Sequence, residues 1–327
     1  KPDSYYNAII NWVKQRYDLI VTKEVINFVP GIVPGIGMAM NCFTQKGDKV
    51  MIQPPVYHPF AWVTTRNERT LVINPLKWEN GMYRMDLDAF REQIKGCKLF
   101  ILCNPHNPGG VVWTEAELRA IADICYDEKV LVFSDEIHAD LTLPPHTHRP
   151  FATVSEKARM NSVTFMSPSK AFNMPGLSAS HALIFNEDLR KRFRIYMDAG
   201  ELDMGHVFAF LSVEAAYSHG TEWLDQCLAY IQGNIDFVDE FLKKHAPKIK
   251  AIRPEASYLV WLDCRELELS QKDLNEFFVD KAHLALNDGE MFGKERIGFM
   301  RLNVASPRCI IEKAMKQLAD AYQLYIK

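Results

Sequence analysis

Short apolar runs alternate with longer amphipathic segments through the first two thirds of the chain. Most of these runs are apolar nearly throughout, which is typical of strands buried on both faces of a sheet. Helical patterns lie between them, and the one at residues 115–128 opens with Thr114 and Glu117 at the spacing of a capping box. Strands separated by helices predict a mostly parallel sheet with helices on both sides. The predicted strands are residues 49–53, 70–74, 99–103, 130–134, 162–166 and 181–185.

The pattern changes after Glu187, where helical segments become longer and more frequent. We predict helices at 187–199, 207–219, 222–245, 271–281 and 310–325, with short strands near 258–263 and 298–304. These elements are typical of a smaller α/β domain that follows a long helix. We therefore expect a large domain of residues 1–233 and a small C-terminal domain of residues 234–327.

Composition narrows the classes of partner. The chain has 327 residues, with 38 lysines and arginines and 41 aspartates and glutamates, so its net charge is −3. This balance argues against nucleic acid or an anionic membrane as a main partner. The most apolar stretch, residues 25–43, contains prolines and glycines and predicts a buried turn that leads into a helix, not a bilayer span. We expect no secretory signal, and seven widely spaced cysteines without a C-x-x-C pair predict reduced thiols in a cytoplasmic protein.

Three segments with chemically active side chains follow predicted strands, at residues 104–110, 135–138 and 167–173. In an open parallel sheet, ligands bind beyond the carboxyl ends of the strands, so these segments should converge. Lys170 follows a buried strand between two serines, where partial desolvation makes an amine a better nucleophile. The alternative is a surface lysine in a serine-rich loop.

Asp135 and Asn107 lie in the other two segments. A buried aspartate at the end of an apolar strand needs a cationic or donor partner, and a protonated pyridine nitrogen would supply one. A helix or turn cap is the alternative for Asp135. Asn107 begins the second of two Asn-Pro steps, whose prolines fix an irregular backbone and can hold its amide toward a pocket. Residues 28–37 form a turn rich in glycine and proline that opens a helix; its free N–H groups could bind phosphate, or it could be only a turn.

Together these segments resemble the pyridoxal 5′-phosphate (PLP) enzymes of the aspartate aminotransferase fold, over nearly the whole chain. Pro-Pro-Val-Tyr-His-Pro-Phe at 54–60, Asp-Glu-Ile-His at 135–138 and Ser-Lys-Ala-Phe-Asn at 169–173 most resemble the branch of cystathionine β-lyases, or cysteine-S-conjugate β-lyases. The resemblance implies fold type I: an α/β large domain, whose mostly parallel seven-stranded sheet lies between helices, and a smaller α/β domain. It also implies PLP as the cofactor.

The resemblance assigns roles to five side chains. Lys170 would bind the cofactor covalently and later move the Cα proton of the substrate. Asp135 would pair with the pyridinium nitrogen, and Asn107 would hydrogen-bond the ring 3′-oxygen. Tyr57 would stack on the ring face. Arg301 would clamp the substrate α-carboxylate with its planar fork.

The phosphate site departs from the aminotransferase pattern. Many aminotransferases carry an arginine eight residues after the lysine, where this chain has Ser178, and a tyrosine three residues after the aspartate, where it has His138. The branch of β-lyases tolerates both, and His138 counts among the implied cofactor-binding residues. The implied phosphate ligands are the backbone groups of Ile32 and Val33 and the hydroxyls of Ser167 and Ser169.

The resemblance also implies an assembly and a reaction. The family completes each active site with a partner-subunit tyrosine from a segment just before Lys1, so we expect a homodimer with shared sites and a natural N-terminus that lies upstream. The expected activity is β-elimination on cystathionine or cysteine S-conjugates, which gives thiol, pyruvate and ammonia. A class I/II aminotransferase is the first alternative, and a PLP-fold regulator or binding protein is the second. We expect no metal site, because His146 and His148 have no third ligand nearby in sequence.

Overall fold

The computed structural model describes residues 1–293 and 297–325. Its helices are α1 Asp3–Tyr17, α2 Ile32–Phe43, α3 Pro59–Arg66, α4 Leu87–Gln93, α5 Glu115–Asp127, α6 Glu156–Met160, α7 Glu187–Ala199, α8 Val207–His219, α9 Thr221–His245, α10 Gln271–Glu276 and α11 Arg308–Tyr325. Its strands are β1 Ile26–Val29, β2 Lys49–Ile52, β3 Thr70–Ile73, β4 Lys77–Glu79, β5 Met82–Arg84, β6 Cys97–Cys103, β7 Leu131–Asp135, β8 Ser162–Met166, β9 Ser180–Leu183, β10 Lys250–Ile252, β11 Leu259–Asp263, β12 Asn287–Asp288 and β13 Phe299–Asn303.

The main sheet has seven strands in the order β1-β9-β8-β7-β6-β2-β3. Strands β3, β2, β6, β7 and β8 pair in parallel, while β9 is antiparallel to both of its neighbours. The predicted mostly parallel seven-stranded sheet is confirmed, and each strand predicted for it lies within two residues of its observed bounds. The sequence pattern missed β1, because its four buried residues run directly into the turn rich in glycine and proline before α2.

Both faces of this sheet are buried because its strands alternate between two apolar layers. Phe100 and Leu102 of β6 pack into one cluster with the buried face of α5, whereas Leu99 and Ile101 pack into another with α2 and α7. The predicted capping box starts α5: Thr114 Oγ1 accepts a hydrogen bond from Glu117 N at 3.2 Å, and Glu117 Oε2 accepts one from Thr114 N at 2.8 Å.

A second sheet follows the 25-residue helix α9, with four antiparallel strands in the order β10-β11-β13-β12. On one face of this sheet, Val260 and Leu262 of β11 pack with apolar residues of α9 and α11. Helix α10 continues as a π-helical turn at Phe277–Lys281. The division between residues 233 and 234 falls inside α9 and stays a prediction.

Candidate active site

The three segments that follow β6, β7 and β8 meet at one edge of the main sheet. Cys103 of β6 pairs with Asp135 of β7, which pairs with Phe165 of β8, so the carboxyl ends of these strands are level. A cavity of about 440 Å³ opens there. The implied site residues that line it are Ile32, Val33, Tyr57, Asn107, Asp135, His138, Ser169, Lys170 and Arg301.

Asp135 is the last residue of β7, whereas the sequence predicted that it would directly follow the strand. It is only 4% exposed. Its Oδ1 accepts a hydrogen bond from Ile137 N at 3.1 Å. Burial raises the pKa of Asp135 to about 7, against the opposing effects of the Ile137 N–H and the charge of Lys170. None of the ion pairs formed in the described part of the chain includes Asp135. A buried carboxylate of this kind favours a cationic partner such as a pyridinium nitrogen.

Lys170 follows β8 and is half-buried in the cavity wall. Burial and the nearby charge of Arg301 lower the pKa of Lys170, while Asp135 raises it. A lysine amine with a lowered pKa holds its proton less tightly and is a better nucleophile and base near neutral pH. The sequence prediction that desolvation acts on this amine therefore agrees with the geometry of the cavity.

Arg301 lies in β13, opposite Asn287 of β12. Its Nη1 donates to Asn107 Oδ1 at 2.9 Å, its Nη2 donates to Asn287 Oδ1 at 2.8 Å, and its guanidinium lies 4.6 Å from the centre of the Phe292 ring. Burial lowers the pKa of Arg301 to about 10, so the side chain keeps its charge at neutral pH. Two amide oxygens orient this cation without neutralising it, which suits it to bind a carboxylate.

The Arg301 contact also orients Asn107. Because Oδ1 of Asn107 accepts from Arg301, Nδ2 is the group that this side chain can offer to another acceptor. Asn107 is only 6% exposed and lines the cavity. Its amide is thus positioned to donate to an oxygen atom such as the ring 3′-oxygen of PLP.

The start of α2 forms an anion cradle beside the cavity. Gly31 precedes the helix with φ 145°, a backbone conformation that favours glycine, and Ile32 and Val33 occupy the first turn. N–H groups of a first turn have no acceptor within the helix and readily bind phosphate. Ser169 and Ser178 also line the cavity. Ser178 occupies the position eight residues after Lys170, where many aminotransferases have arginine.

Ser167 lies behind this cradle and is not one of the residues that line the cavity. Its hydroxyl donates to Ala179 O at 2.7 Å, and its Oγ accepts from Ser169 N at 3.1 Å. Ser167 Oγ also lies 2.9 Å from Ser169 Oγ, so Ser167 is bonded within the loop, whereas Ser169 lines the cavity. The implied role of Ser167 as a phosphate ligand stays a prediction.

His138 lies in the cavity wall and is 4% exposed. Burial, with smaller effects from Lys170 and Arg301, lowers the pKa of His138 to about 3, so its imidazole is neutral. Several other lining residues were not among the predicted site residues. They are Pro30, Gly31, Pro34, His58, Cys103, Ile137, Pro175, Ala179, Ser180, Tyr258, Leu259, Asn287 and Asn303. Some lie inside the motifs at 28–37, 54–60 and 135–138 but had no role implied by the resemblance, and the others belong to no motif.

A buried acid lies next to Asp135. Glu136 is 1% exposed and accepts hydrogen bonds from Ser134 Oγ, Phe151 N and His148 Nε2, each at 2.8 Å. Its negative charge contributes to the raised pKa of Asp135. His148 is thus tied to Glu136, whereas His146 Nδ1 lies 3.8 Å from a carboxylate oxygen of Glu255.

Across residues 1–293 and 297–325, no three His, Cys, Asp or Glu side chains are grouped so that they could hold a metal ion. No helix in this part of the chain combines the length and the apolar character needed to cross a membrane.

The fold and the cavity define a PLP-dependent enzyme of fold type I. The residues fit the cofactor: the buried Asp135 needs a cation, the α2 cradle suits a phosphate, and Lys170 offers an amine with a lowered pKa. The model of the family of class I and II aminotransferases matches residues 2–318, so the chain belongs to this PLP-dependent family.

Three relatives illustrate the similarity. The chain is 38% identical over 317 residues to cystathionine beta-lyase PatB of Bacillus subtilis (strain 168), which covers 96% of this chain and 82% of the relative. PLP-containing cystalysin of Treponema denticola is 33% identical, with a TM-score of 0.96 over 100% of this chain and 83% of that one. The PLP-bound C-S lyase of Staphylococcus hominis is also 33% identical, with a TM-score of 0.91 over 98% and 84% of the two chains.

Proposed function

We propose that the protein is a PLP-dependent carbon–sulfur β-lyase, which converts cystathionine or other cysteine S-conjugates into a thiol, pyruvate and ammonia. The observation that carries the proposal is that Lys170, Asp135 and Arg301 line the same cavity. This set provides an amine for proton transfer, a carboxylate for a pyridinium and a fork for an α-carboxylate. The choice of a lyase is supported by relatives named cystathionine beta-lyase, cystalysin and C-S lyase.

Bound PLP supplies an electron sink that stabilises negative charge at the substrate Cα. Arg301 holds the α-carboxylate through two parallel hydrogen bonds and so fixes the orientation of the Cα–H bond. Lys170 Nζ, whose pKa is lowered by burial, accepts the Cα proton. The Cβ–S bond then breaks and the sulfur leaves as a thiolate with the bonding electrons. Addition of water to the remaining three-carbon fragment gives pyruvate and ammonia.

The proposed roles of the other residues follow from their positions in the cavity. Asp135 keeps the pyridine nitrogen protonated, which maintains the electron sink. Asn107 donates to the ring 3′-oxygen, and Tyr57 packs against the ring face. Ser169 joins the α2 backbone on the phosphate.

An aminotransferase is the second candidate, and the match to the family of class I and II aminotransferases favours it. The two reactions share every residue role up to loss of the Cα proton and differ in the step that follows it. The discriminating experiment incubates the PLP-loaded protein with cystathionine, and separately with an amino acid plus 2-oxoglutarate. Pyruvate with free thiol supports the lyase, whereas glutamate without pyruvate would replace it with the transferase.

Attachment of the cofactor to Lys170 can be tested chemically. Borohydride reduction of the PLP-loaded protein followed by peptide mass mapping should place the pyridoxyl group on Lys170. A label on any other lysine would contradict the assignment, and Lys170→Arg should take up no reducible label.

We also propose a homodimer with active sites at the subunit interface. Val207, Phe208 and Leu211 at the start of α8 are 60%, 67% and 51% exposed, and together with Met204 they form an apolar patch. The patch adjoins the cavity, since His206 Nε2 lies 3.0 Å from Leu177 O in the loop that lines it. Phe208→Asp should shift the sedimentation coefficient to that of a monomer and reduce activity. A native chain that sediments as a fully active monomer would end this proposal.

The proposed location is the cytoplasm. It is supported by the seven cysteines, all of which lie within the described residues and are free thiols. Fractionation of cells of the source organism would test it.

A further inference from the structure

A second cavity of about 380 Å³ lies beside the first. One side of it is formed by β2, α3 and β3, and the other side by residues 290–293. His58 lines both cavities. Other residues that line the second cavity include Ala61, Trp62, Ile73, Glu290, Met291 and Phe292.

The partition between the cavities is built from His58 and Phe292. The two rings meet edge to face with centres 5.9 Å apart, and His58 also meets Trp62 at 4.4 Å. Phe292 carries the guanidinium of Arg301 on its ring and is held by a hydrogen bond of 3.0 Å from Val56 N to Phe292 O. The proposed carboxylate anchor, the partition and the second cavity are therefore consecutive.

The chemistry of the second cavity differs from that of the first. Glu290 is the one charged side chain among its described lining residues, and the others are mostly apolar. Trp62, Ile73 and Met291 are large apolar residues that are 46%, 42% and 41% exposed. Burial and the charge of Arg301 lower the pKa of His58, which favours a neutral imidazole where the two cavities adjoin. An apolar group that covers these side chains would be stabilised by the hydrophobic effect.

We propose that this second cavity receives the sulfur substituent of the substrate and selects apolar, aryl or alkyl, cysteine S-conjugates. The inference rests on the proposed lyase function and adds its substrate class. The volume is more than twice the roughly 150 Å³ of an apolar cavity that binds benzene. The distal end of cystathionine carries an ammonium and a carboxylate, and a cavity that offers a single acid would leave one of these charges unpaired.

The experiment measures kcat/KM of the PLP-loaded protein for S-benzyl-L-cysteine, S-methyl-L-cysteine and cystathionine by pyruvate release. The quantity compared between variants is the ratio of kcat/KM for S-benzyl-L-cysteine to kcat/KM for S-methyl-L-cysteine. Benzyl thiolate is the better leaving group in any enzyme, and this advantage cancels when the ratio in a variant is divided by the ratio in wild type. Ala61→Phe fills the cavity and should lower this ratio by tenfold or more. Trp62→Ala, at an exposed position that threatens folding less, should lower it by about fivefold to tenfold. Thr65→Phe, on the same helix but outside the cavity lining, is the matched control and should leave the ratio within twofold.

The wild-type protein should also prefer S-benzyl-L-cysteine to cystathionine. The inference is overturned if cystathionine is preferred, or if Ala61→Phe and Trp62→Ala leave the ratio unchanged. The inference is also overturned if these variants sediment differently from wild type and lose kcat/KM equally for S-benzyl-L-cysteine and S-methyl-L-cysteine. The cavity would then be a contact between copies of the chain. If the wild-type protein releases pyruvate from none of the three substrates, the lyase proposal itself fails, which is a distinct result from cleavage without selectivity.

Discussion

The substitution Asp135→Asn should stabilise the protein without cofactor at alkaline pH while weakening its hold on PLP. Burial raises the pKa of Asp135 from 3.8 to about 7. Well below pH 3.8 this carboxyl is protonated in the folded and unfolded chains alike, so it does not affect the free energy of unfolding. As pH rises from about 4 to 7, the unfolded chain ionises and the folded chain resists ionisation, so the folded state loses stability. Each pH unit in that window is worth roughly 1.4 kcal/mol, which gives about 4 kcal/mol in total.

Asparagine cannot ionise, so the variant lacks this penalty. The free energy of unfolding of Asp135→Asn minus that of wild type should therefore rise by up to about 4 kcal/mol between pH 4 and 8. Urea unfolding of the cofactor-free proteins across this range measures the difference, and groups common to both proteins cancel. Asp320→Asn, at an exposed position of α11, is the control and should show a difference within about 0.5 kcal/mol at every pH.

The cofactor should reverse the sign of the effect. A pyridinium nitrogen pairs with the ionised Asp135, and loss of one partner of a buried ion pair costs about 3–5 kcal/mol. Asp135→Asn should therefore release PLP on dialysis under conditions where wild type retains it, as followed by cofactor absorbance. The reasoning is refuted if the stability difference is constant with pH, or if the variant retains PLP as tightly as wild type.

Three further changes test other parts of the structure. Arg301→Lys keeps the charge but loses the fork, so kcat/KM for a cysteine S-conjugate should fall by about ten- to a hundredfold, with KM rising; equal kinetics would make Arg301 structural. Gly110→Ala should destabilise the fold by more than about 2 kcal/mol, because φ is +68° and the new Cβ would lie 2.4 Å from Pro254 Cβ; an unchanged urea midpoint would contradict this. Thr114→Ala should cost about 0.5–2 kcal/mol in urea unfolding through loss of the cap to Glu117 N, whereas Thr114→Ser should restore most of it.

The parallel sheet was accessible from sequence because its strands are nearly continuous apolar runs between helical patterns. Strand β8 has its predicted bounds at Ser162–Met166, and α7 and α8 also have theirs. Strand β1 was not accessible, since Ile26–Val29 is four residues long and merges with the apolar turn before α2. The edge strands β10 and β12 are three and two residues long, which is too short for a periodic signal.

The cavity was predictable where a side chain follows a strand of the main sheet. Asn107, Asp135 and Lys170 lie at level strand ends, so topology alone brings them together. Asn287 was not predictable, because it reaches Arg301 through the register of β12 and β13 and belongs to no motif. The hydrogen bond from Ser167 Oγ to Ala179 O could not be predicted either, since only the folded loop brings these two residues together.

The electrostatics of the cavity explain why its three charged groups are shifted together. Burial is the largest cause for each: it raises the pKa of Asp135 and lowers the pKa of Lys170 and Arg301, so each group is displaced towards its neutral form. The proposed ligands carry the complementary charges, with a pyridinium for Asp135 and an α-carboxylate for Arg301. Binding would favour the charged forms of these two groups again, while Lys170 would gain no anionic partner from a pyridinium. Lys170 is thus the one of the three that stays disposed to exchange a proton, which is the property that the proposed β-elimination requires of it.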